Sequence, residues 1–372
     1  MDMRIVITGA DGFMGQNLRV RLQELGYTGV QGLTRSATSD EFRAALAGAD
    51  FVFHLAGVNR PRDPGDFARD NSLLTEDICA ALGANGRRTS VAMASSSQAA
   101  LDNPYGRSKL QAELALQAYG NAADAQAHIF RLNNVFGKWC RPNYNSVVAT
   151  FCHNIARELP IMVNDPAAEL KLVHIDDVVV AFIRLLEVPG QLGGYAEAGP
   201  VYTSTVGDIA DTLRGFAQTR HSLFAPRAGT GLVRALYSTY VSYLPHESFA
   251  YDVPVHGDAR GEFVEMLKTP DCGQFSYFTA PPGITRGEHY HHTKTEKFLV
   301  IKGTARFAFR HIITGQTYEL VTRGGQARIV ETVPGYTHNI CNIGHDEMVV
   351  MLWANEVFDR QRPDTVAMKV QL

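Results

Sequence analysis

Residues 4–15 read RIVITGADGFMG and decide the fold of the first part of the chain. The apolar run RIVIT predicts a short buried strand, and leucines at helical intervals after residue 15 predict the helix that follows. Between the two stand Gly9, Gly12 and Gly15. Because glycines lack Cβ atoms, such a turn lets a pyrophosphate approach the N-terminus of the helix. The stretch therefore predicts a strand–turn–helix unit that binds a dinucleotide.

Strands and helices continue to alternate after this unit. The apolar pattern predicts strands at 30–33, 51–55, 90–94 and 128–132, and helices at 40–46, 108–119 and 147–157. This alternation is typical of an α/β fold with a Rossmann-type, doubly wound parallel sheet. The interval between the strands at 30–33 and 51–55 has room for a single helix, so we expect the third strand of the usual Rossmann half to be shortened or absent.

The pattern changes after about residue 250 to short alternating segments separated by Gly and Pro. Predicted strands lie at 263–267, 274–278, 296–301, 305–310, 317–320 and 348–352. This all-β pattern suits a jelly-roll barrel. We therefore predict two domains, residues 1–248 and residues 249–372.

Composition excludes several classes of partner. The net charge is −3 and no run of Lys and Arg is present, so neither nucleic acid nor an anionic membrane is expected as a partner. No stretch is apolar enough to span a bilayer, and the N-terminus lacks the apolar core of a signal peptide. The five cysteines form no CxxC pair, which fits reduced thiols. We expect a cytoplasmic protein.

A tyrosine, a lysine and a serine run supply candidate catalytic groups. Tyr105 and Lys109 stand four residues apart at the start of a predicted helix, hence on one face. A nearby cation favours the phenolate and makes the tyrosine a better proton donor or acceptor near neutral pH. The serines at 95–97 follow a predicted strand, at the sheet edge where doubly wound folds place ligands. Each feature alone has a simpler interpretation, but their joint occurrence in this order favours an active site.

These motifs, with HLAG at 54–57 and VHIDDVVVAF at 173–182, resemble the extended short-chain dehydrogenase/reductases that modify nucleotide sugars. The resemblance covers residues 1–245. It implies that Tyr105, Lys109 and Ser97, with Ser96 as the alternative, catalyse hydride transfer. It also implies an NAD(P) site, for which we select Gly9, Gly12, Phe13, Met14, Gly15, Arg35, Leu55, Ala56, Tyr105 and Lys109.

Arg35 bears on the choice of cofactor. About twenty residues after the glycine turn, an NAD-specific enzyme carries an acid for the ribose hydroxyl. This chain has Thr34-Arg35 there, which favours NADPH, although an ordinary loop arginine would give the same sequence.

The C-terminal part contains two histidine motifs. Residues 283–303 fit G-x5-H-x-H-x4-E-x6-G, and residues 334–342 fit P-G-x2-H-x3-N, which are the two motifs of the cupin family. Residues two apart on a strand point to one face, so we expect His289 and His291 to converge, with Glu296 and His338 approaching from neighbouring strands. Three imidazoles and a carboxylate suit one divalent metal ion such as zinc, nickel or iron, with zinc as the first expectation. Whether the ion is structural or catalytic stays open.

A second resemblance overlaps this one. DARGEF at 258–263 followed by RGEHY at 286–290 looks like the deoxysugar epimerases of the cupin fold. It implies that Arg260 and Arg286 contact the phosphates of a nucleotide sugar, and that His289 is a base that removes a proton alpha to a 4-keto group. A metal-bound imidazole has no free lone pair, so His289 cannot hold both roles at once. The sequence HYHH favours ligation, which leaves the base unassigned.

Taken together, the two halves resemble a bifunctional family of capsular-polysaccharide enzymes. This resemblance implies a homodimer that acts on a UDP-linked 4-keto-6-deoxy amino sugar for capsule or O-antigen synthesis. The cupin would epimerise C3, and the reductase would then reduce C4 with NADPH to give UDP-N-acetyl-6-deoxy-L-talosamine. Two alternatives stay open: an NADPH-dependent 4-keto-sugar reductase with a structural or ligand-sensing cupin, and a catalytically inactive protein that senses NADP.

Overall fold

The computed structural model describes residues 3–61, 63, 65–188, 192–249, 251–292 and 294–371. The chain divides into two compact units. Residues 1–213 and 234–245 form the first unit, and residues 214–233 and 246–372 form the second. The domain boundary between 248 and 249 stays a prediction, and no feature of the sequence indicated that residues 214–233 group with the second unit.

The chain as far as residue 242 alternates helices and strands. In order they are β1 (Ile5–Thr8), α1 (Phe13–Glu24), β2 (Val30–Leu33), α2 (Ser39–Gly48), β3 (Phe51–His54), a π-helical turn (Ala68–Leu73), α3 (Leu74–Ala84), β4 (Ser90–Ser96), a 3₁₀ turn (Ser97–Ala100), α4 (Pro104–Ala123), β5 (Ala127–Leu132), β6 (Asn134–Phe136), α5 (Val147–Ile155), β7 (Glu169–His174), α6 (Ile175–Glu187), β8 (Gly194–Ala196), β9 (Val201–Thr205), α7 (Val206–Ser222) and α8 (Gly231–Ser242).

The main sheet of the first unit is parallel, with the strand order β2-β1-β3-β4-β5-β8. Every residue of β1 and β3 is buried, because helices cover both faces of the sheet. The predicted Rossmann-type fold is thus confirmed. Among the described residues no strand lies outside β2, so the expected loss of the third strand is confirmed as well. A small sheet of β6, β7 and β9 was not predicted.

The second unit is an antiparallel barrel made of two sheets, as predicted for a cupin jelly roll. Its described elements are a 3₁₀ turn (His246–Ser248), β10 (Val255–Asp258), β11 (Gly261–Lys268), β12 (Gln274–Ala280), β13 (Thr285–Tyr290), β14 (Glu296–Lys302), β15 (Thr304–His311), β16 (Thr317–Arg323), β17 (Ile329–Glu331), β18 (Tyr336–Asn342), β19 (Met348–Ala354) and β20 (Val366–Ala367).

One sheet of the barrel has the order β10-β11-β12-β19-β14-β17, and the other has β16-β15-β18-β13-β20. Aromatic and aliphatic side chains from both sheets form a single core. Phe278 and Phe298 from the first sheet and Phe307 and Ile340 from the second are among them. The facing inner surfaces hold the histidine motifs as well as this apolar core.

Phe182 on α6 provides a test of the packing in the first unit. Its ring is fully buried between Phe53 and Phe130, with centroid distances of 5.7 and 4.9 Å. We expect Phe182→Ala to lower the free energy of unfolding by about 3–5 kcal/mol, since it leaves a cavity. Val180→Ala, on the exposed side of the same helix, should change it by less than about 0.5 kcal/mol. Urea unfolding followed by far-ultraviolet circular dichroism measures both, and equal losses would contradict this account of the core.

Candidate active site and candidate metal centre

A cleft of about 1350 Å³ opens where β1, β2 and β3 end. Five of the predicted cofactor residues line it, namely Gly9, Gly12, Arg35, Leu55 and Ala56. Phe13, Met14 and Gly15 lie behind the turn on α1 and are not among the lining residues. The cleft continues to Gly57, where an added Cβ would lie 3.1 Å from the Nζ atom of Lys109. The cleft therefore runs from the glycine turn toward the predicted catalytic lysine.

The glycine turn fits the approach of a pyrophosphate. Gly9 has a φ of +67°, and a Cβ there would lie 2.8 Å from the backbone N of Ala56. A Cβ on Gly15 would lie 2.3 Å from the carbonyl oxygen of Gly9, so only glycine lets α1 pack this closely on the turn. Gly12 precedes α1 and brings no capping side chain. Gly12 therefore leaves the N–H groups of the first helical turn free of a side-chain partner.

Arg35 lies on the rim of this cleft, and its side chain is 79% exposed. It donates to Asp70 at 2.9 Å, and Arg69 donates to the other oxygen of the same carboxylate at 2.8 Å. Asp70 and Arg69 both line the cleft, and both lie on the π-helical turn. Sequence reasoning missed them, because no motif marks this turn. Asp70 bears on the choice of cofactor, since NAD enzymes use an acid for the ribose hydroxyl.

Two consecutive residues at the end of β4 each hold one residue of α4. The carbonyl of Ala94 accepts a hydrogen bond from Lys109 Nζ at 3.1 Å, and Ser95 Oγ donates to Glu113 at 2.5 Å. The Ser96 hydroxyl lowers the pKa of Tyr105 and so lies close to the phenol. The structure therefore brings together Tyr105, Lys109 and a serine of the predicted run.

That serine is Ser96, the alternative choice. Ser97 is exposed and begins the 3₁₀ turn that follows β4. Strand residues alternate between two sides, so the choice among three adjacent serines depends on where the strand ends. The sequence does not define that point. Ser97 as the catalytic hydroxyl stays a prediction, and proximity to the phenol favours Ser96.

Burial shifts the pKa values of the two predicted catalytic groups, Tyr105 and Lys109. Burial raises the pKa of Tyr105, and the hydrogen bond with Ser96 partly offsets this. Burial lowers the pKa of Lys109 to about 8, against the opposing effect of the Glu113 carboxylate. A lysine with such a pKa can still carry its charge at neutral pH, close to the point where it loses it.

Behind these groups lies a buried network that sequence reasoning did not predict. His54 contacts Thr8 Oγ1 through Nδ1 at 2.8 Å and Thr75 Oγ1 through Nε2 at 2.9 Å. Thr75 donates its own proton to the carbonyl of Asn71, so the proton on His54 must be on Nε2. Burial lowers the pKa of His54 to about 3, which keeps the ring neutral.

Asn71 joins this network to the catalytic helix. Its side-chain amide donates to the carbonyl of Val58 and to Ser108 Oγ, both at 3.0 Å, and its oxygen accepts from the N–H of Val58 at 2.9 Å. Ser108 Oγ in turn donates to the carbonyl of Tyr105. The loop after β3 and the first turn of α4 are thereby fixed to the same side chain.

In the second unit, His289, His291, Glu296 and His338 bring their ligand atoms within 4.8 Å of one another. His289 on β13 is paired with His338 on β18, and His291 follows β13 directly. Glu296, however, begins β14 in the other sheet. The expectation that it approaches from a neighbouring strand was wrong, because the first cupin motif crosses from one sheet of the barrel to the other between His291 and Glu296.

The residues of this cluster fit a divalent metal ion. The Nε2 atom of His338 is buried and has no hydrogen-bond partner among the described residues. It lies 3.6 Å from the Glu296 carboxylate, whereas His291 Nε2 lies 3.3 Å from it. Burial lowers the pKa of His289 to about 4. Burial also tends to raise the pKa of Glu296, but the hydrogen bond from His291 and the charge of Lys294 hold it well below its usual value. Neutral imidazoles and an ionised carboxylate are the forms that bind metals.

Three members of this cluster, His289, Glu296 and His338, line one cavity of about 210 Å³ together with the two predicted phosphate-binding residues, Arg260 and Arg286. Arg286 lies over the ring of Phe278, 4.9 Å from its centroid, and Arg260 forms an ion pair with Asp258 at 2.5 Å. The remaining wall is mostly apolar. The lining residues include Arg260, Phe263, Phe278, Arg286, His289, Glu296, Phe298, Phe307, His338, Asn339, Ile340 and Leu352.

Comparison with known proteins identifies the families to which the two parts of the chain are similar. Residues 5–195 match the NAD dependent epimerase/dehydratase family, and residues 256–366 match the polysaccharide biosynthesis C-terminal domain. The chain therefore belongs to the NAD dependent epimerase/dehydratase family and carries a polysaccharide biosynthesis C-terminal domain.

Two relatives match nearly the whole chain. One is the UDP-2-acetamido-2,6-beta-L-arabino-hexul-4-ose reductase of Pseudomonas aeruginosa, which is 55% identical over 370 residues, or 99% of each chain. The other is the crystal structure of the capsular polysaccharide assembling protein CapF from Staphylococcus aureus, with a TM-score of 0.92 and 42% identity over 99% of this chain and 100% of that one. The predicted resemblance to a capsular-polysaccharide enzyme with this two-part organisation is thus confirmed.

A more distant structure, MoeE5 in complex with UDP-glucose and NAD, covers 65% of this chain and 98% of its own, at 21% identity and a TM-score of 0.55. This likeness shows a shared fold.

No helix in the described part of the chain is both long and apolar enough to cross a bilayer.

The metal cluster leads to a binding test. We expect the full chain to bind one zinc ion, and His338→Gln to weaken binding by more than about a hundredfold, since even the loss of a supporting group costs tenfold to a hundredfold. His292→Gln is the matched control, because His292 is exposed and lies outside the cluster. Competition with a chromophoric chelator measures both affinities. Equal affinities for the two variants would show that the cluster is not the metal site.

Proposed function

We propose that this chain is a bifunctional nucleotide-sugar enzyme with functional modules at residues 1–248 and 249–372. The cupin epimerises C3 of a UDP-4-keto-6-deoxy-N-acetylhexosamine, and the first module reduces C4 with NADPH to give UDP-N-acetyl-6-deoxy-L-talosamine. The observation that carries the proposal is the placement of Lys109, which is buried one helical turn from Tyr105, is hydrogen-bonded to the end of β4 and is reached by the dinucleotide cleft at Gly57. The P. aeruginosa relative is named a UDP-2-acetamido-2,6-beta-L-arabino-hexul-4-ose reductase, and this name supports a UDP-linked 4-keto sugar as the substrate class.

In the reductase site, Tyr105 donates a proton to the C4 oxygen as the ketone becomes an alcohol. The Ser96 hydroxyl orients the carbonyl beside the phenol, with Ser97 as the alternative. Lys109 keeps a positive charge near the phenol and favours loss of its proton. A nicotinamide cofactor supplies the hydride when bound. Gly9, Gly12 and Gly15 let its pyrophosphate approach α1, and Arg35 pairs with the 2′-phosphate.

In the cupin, the same 4-keto group acidifies the proton on C3, so one carbonyl serves both reactions. Arg260 and Arg286 contact the diphosphate of the substrate at the cavity that holds the histidine cluster. His289, His291, Glu296 and His338 would hold the metal, which supplies Lewis-acid stabilisation of an enolate. The base is not assigned, because the lining groups that could accept a proton belong to the metal set.

The resemblance also leads us to propose a homodimer that acts in the cytoplasm.

One observation favours the alternative of a reductase with a structural or ligand-sensing cupin. The barrel cavity measures about 210 Å³. Pockets for small molecules usually measure about 300–1,000 Å³, so a nucleotide sugar would have to extend beyond this cavity. The following experiment distinguishes the two functions.

We expect Tyr105→Phe to lower NADPH oxidation by about a hundredfold or more, because the proton donor is lost. Deuterium from heavy water should still enter C3 of the UDP-4-keto sugar at the wild-type rate. His289→Gln should abolish C3 exchange, whether His289 is a ligand or a base, and its NADPH oxidation should return only when the C3-epimerised 4-keto sugar is supplied. Product NMR measures both reactions in one sample. Absence of C3 exchange in the wild-type protein would favour the alternative, and loss of both reactions in Tyr105→Phe would refute the division of labour.

Arg35 allows a test of cofactor choice. We expect Arg35→Ala to raise the KM for NADPH by about tenfold or more, since a charge-assisted contact with the 2′-phosphate is lost, and to leave the KM for NADH nearly unchanged. Arg88→Ala is the control, because that arginine is also exposed and paired with an acid but lies outside the cleft. If Asp70 instead binds a ribose hydroxyl, NADH will be the better substrate of the wild-type protein and Asp70→Asn will raise its KM.

A further inference from the structure

We infer that Glu113 is a positioning residue of the reductase site, which holds Lys109 in place and in its charged form. This inference rests on the proposed reductase function, in which Lys109 acts beside Tyr105. Glu113 lies one helical turn beyond Lys109 on α4, and no motif of the sequence drew attention to it.

Glu113 is enclosed by partners from three strands. Its side chain is fully buried, yet it is ionisable. Ser95 on β4 donates to it at 2.5 Å, Arg131 on β5 donates through Nη2 at 2.7 Å and through Nε at 3.0 Å, and Tyr195 on β8 donates at 3.1 Å. The carboxylate is therefore fixed by hydrogen bonds rather than by packing alone.

The positions of these contacts tie Glu113 to the catalytic groups. Tyr105, Lys109 and Glu113 follow one another at four-residue intervals, so they lie along one face of α4. Lys109 and Glu113 are hydrogen-bonded to the neighbouring residues Ala94 and Ser95 of β4. The bond from Ser95 to Glu113 therefore adds a second restraint on the position of Lys109 against the end of β4.

The charges around Lys109 give Glu113 an electrostatic role as well. Lys109 is buried, and it donates a hydrogen bond to the neutral carbonyl of Ala94. Among the described residues, the ionisable groups that interact electrostatically with it are Glu113 on its own helix and the neutral His54 on β3. Glu113 raises the pKa of Lys109, in opposition to burial. Arg131 binds the Glu113 carboxylate, so we expect its positive charge to oppose the effect of Glu113 on Lys109.

This arrangement predicts shifts of opposite sign in two variants. Glu113→Gln removes the negative charge and leaves Arg131 unpaired, so the pKa of Lys109 falls. The basic limb of the kcat profile should move down by on the order of half a pH unit or more. Arg131→Gln leaves the carboxylate without its partner, so the limb should move up by a similar amount. A merely structural ion pair would give lower stability in both variants without opposite shifts.

The matched controls are Asp124→Asn and Arg88→Gln. These residues form an exposed ion pair that involves the end of the same helix, at 2.8 Å. Neither control should move the basic limb. Shifts in the same direction for Glu113→Gln and Arg131→Gln, or no shift in either, would overturn the inference. If Glu113→Gln does not fold, Arg131→Gln decides the matter alone, since an upward shift supports the role and any other result rejects it.

A second measurement separates this inference from the proposed function. In protein labelled with ¹³C at the lysine Cε atoms, the Lys109 resonance can be assigned by its absence in Lys109→Arg and titrated without substrate. If the wild-type chain reduces no 4-keto sugar, the proposed function fails, while the titration still reports on Glu113. Equal titration midpoints in wild type and Glu113→Gln would reject the electrostatic role even in an active enzyme.

Discussion

The candidate active site depends on one constraint, the attachment of α4 to the end of β4. Lys109 and Glu113 lie one turn apart on α4, and each forms a hydrogen bond with one of two neighbouring residues of β4, Ala94 and Ser95. These two bonds fix where the buried face of α4 meets the strand end, next to Ser96. The glycine turn at the end of β1 then brings the cofactor cleft to the same edge of the sheet.

Buried polar groups support this arrangement from below. His54 and Asn71 have all their observed bonds to neighbouring loops and helices, and each fixes a segment that borders the cleft. Buried polar groups are costly unless they are satisfied, so such a network specifies a single arrangement of its segments. The segments that carry the candidate catalytic residues are therefore held in one arrangement by hydrogen bonds. Its more exposed parts, such as Arg35, lie at the cofactor rim.

Much of the fold could be predicted from the sequence, because the strands of the first unit are continuous apolar runs and the glycine turn is distinctive. The missed elements have physical reasons. Helix α3 continues directly from a π-helical turn, so it lacks the capping residue that marks a helix start. Strands β13 and β18 carry polar residues that point into a site, which breaks the alternation expected of a barrel strand. Their side chains were found through motif spacing instead.

The site itself was predictable where a residue type and a spacing suffice, as for Tyr105 with Lys109 and for the four members of the histidine cluster. The choice of Ser96 over Ser97 and the role of the buried Asn71 were not predictable, because both depend on where the side chains lie in three dimensions. The position of Glu296 on the sheet opposite the three histidines has a mechanical consequence. Any ion held by this set would connect the two sheets of the barrel. The free energy of ion binding would therefore add to the free energy needed to separate the sheets. Removal of the ion by a chelator would then lower the free energy of unfolding of the barrel, although no covalent bond is broken.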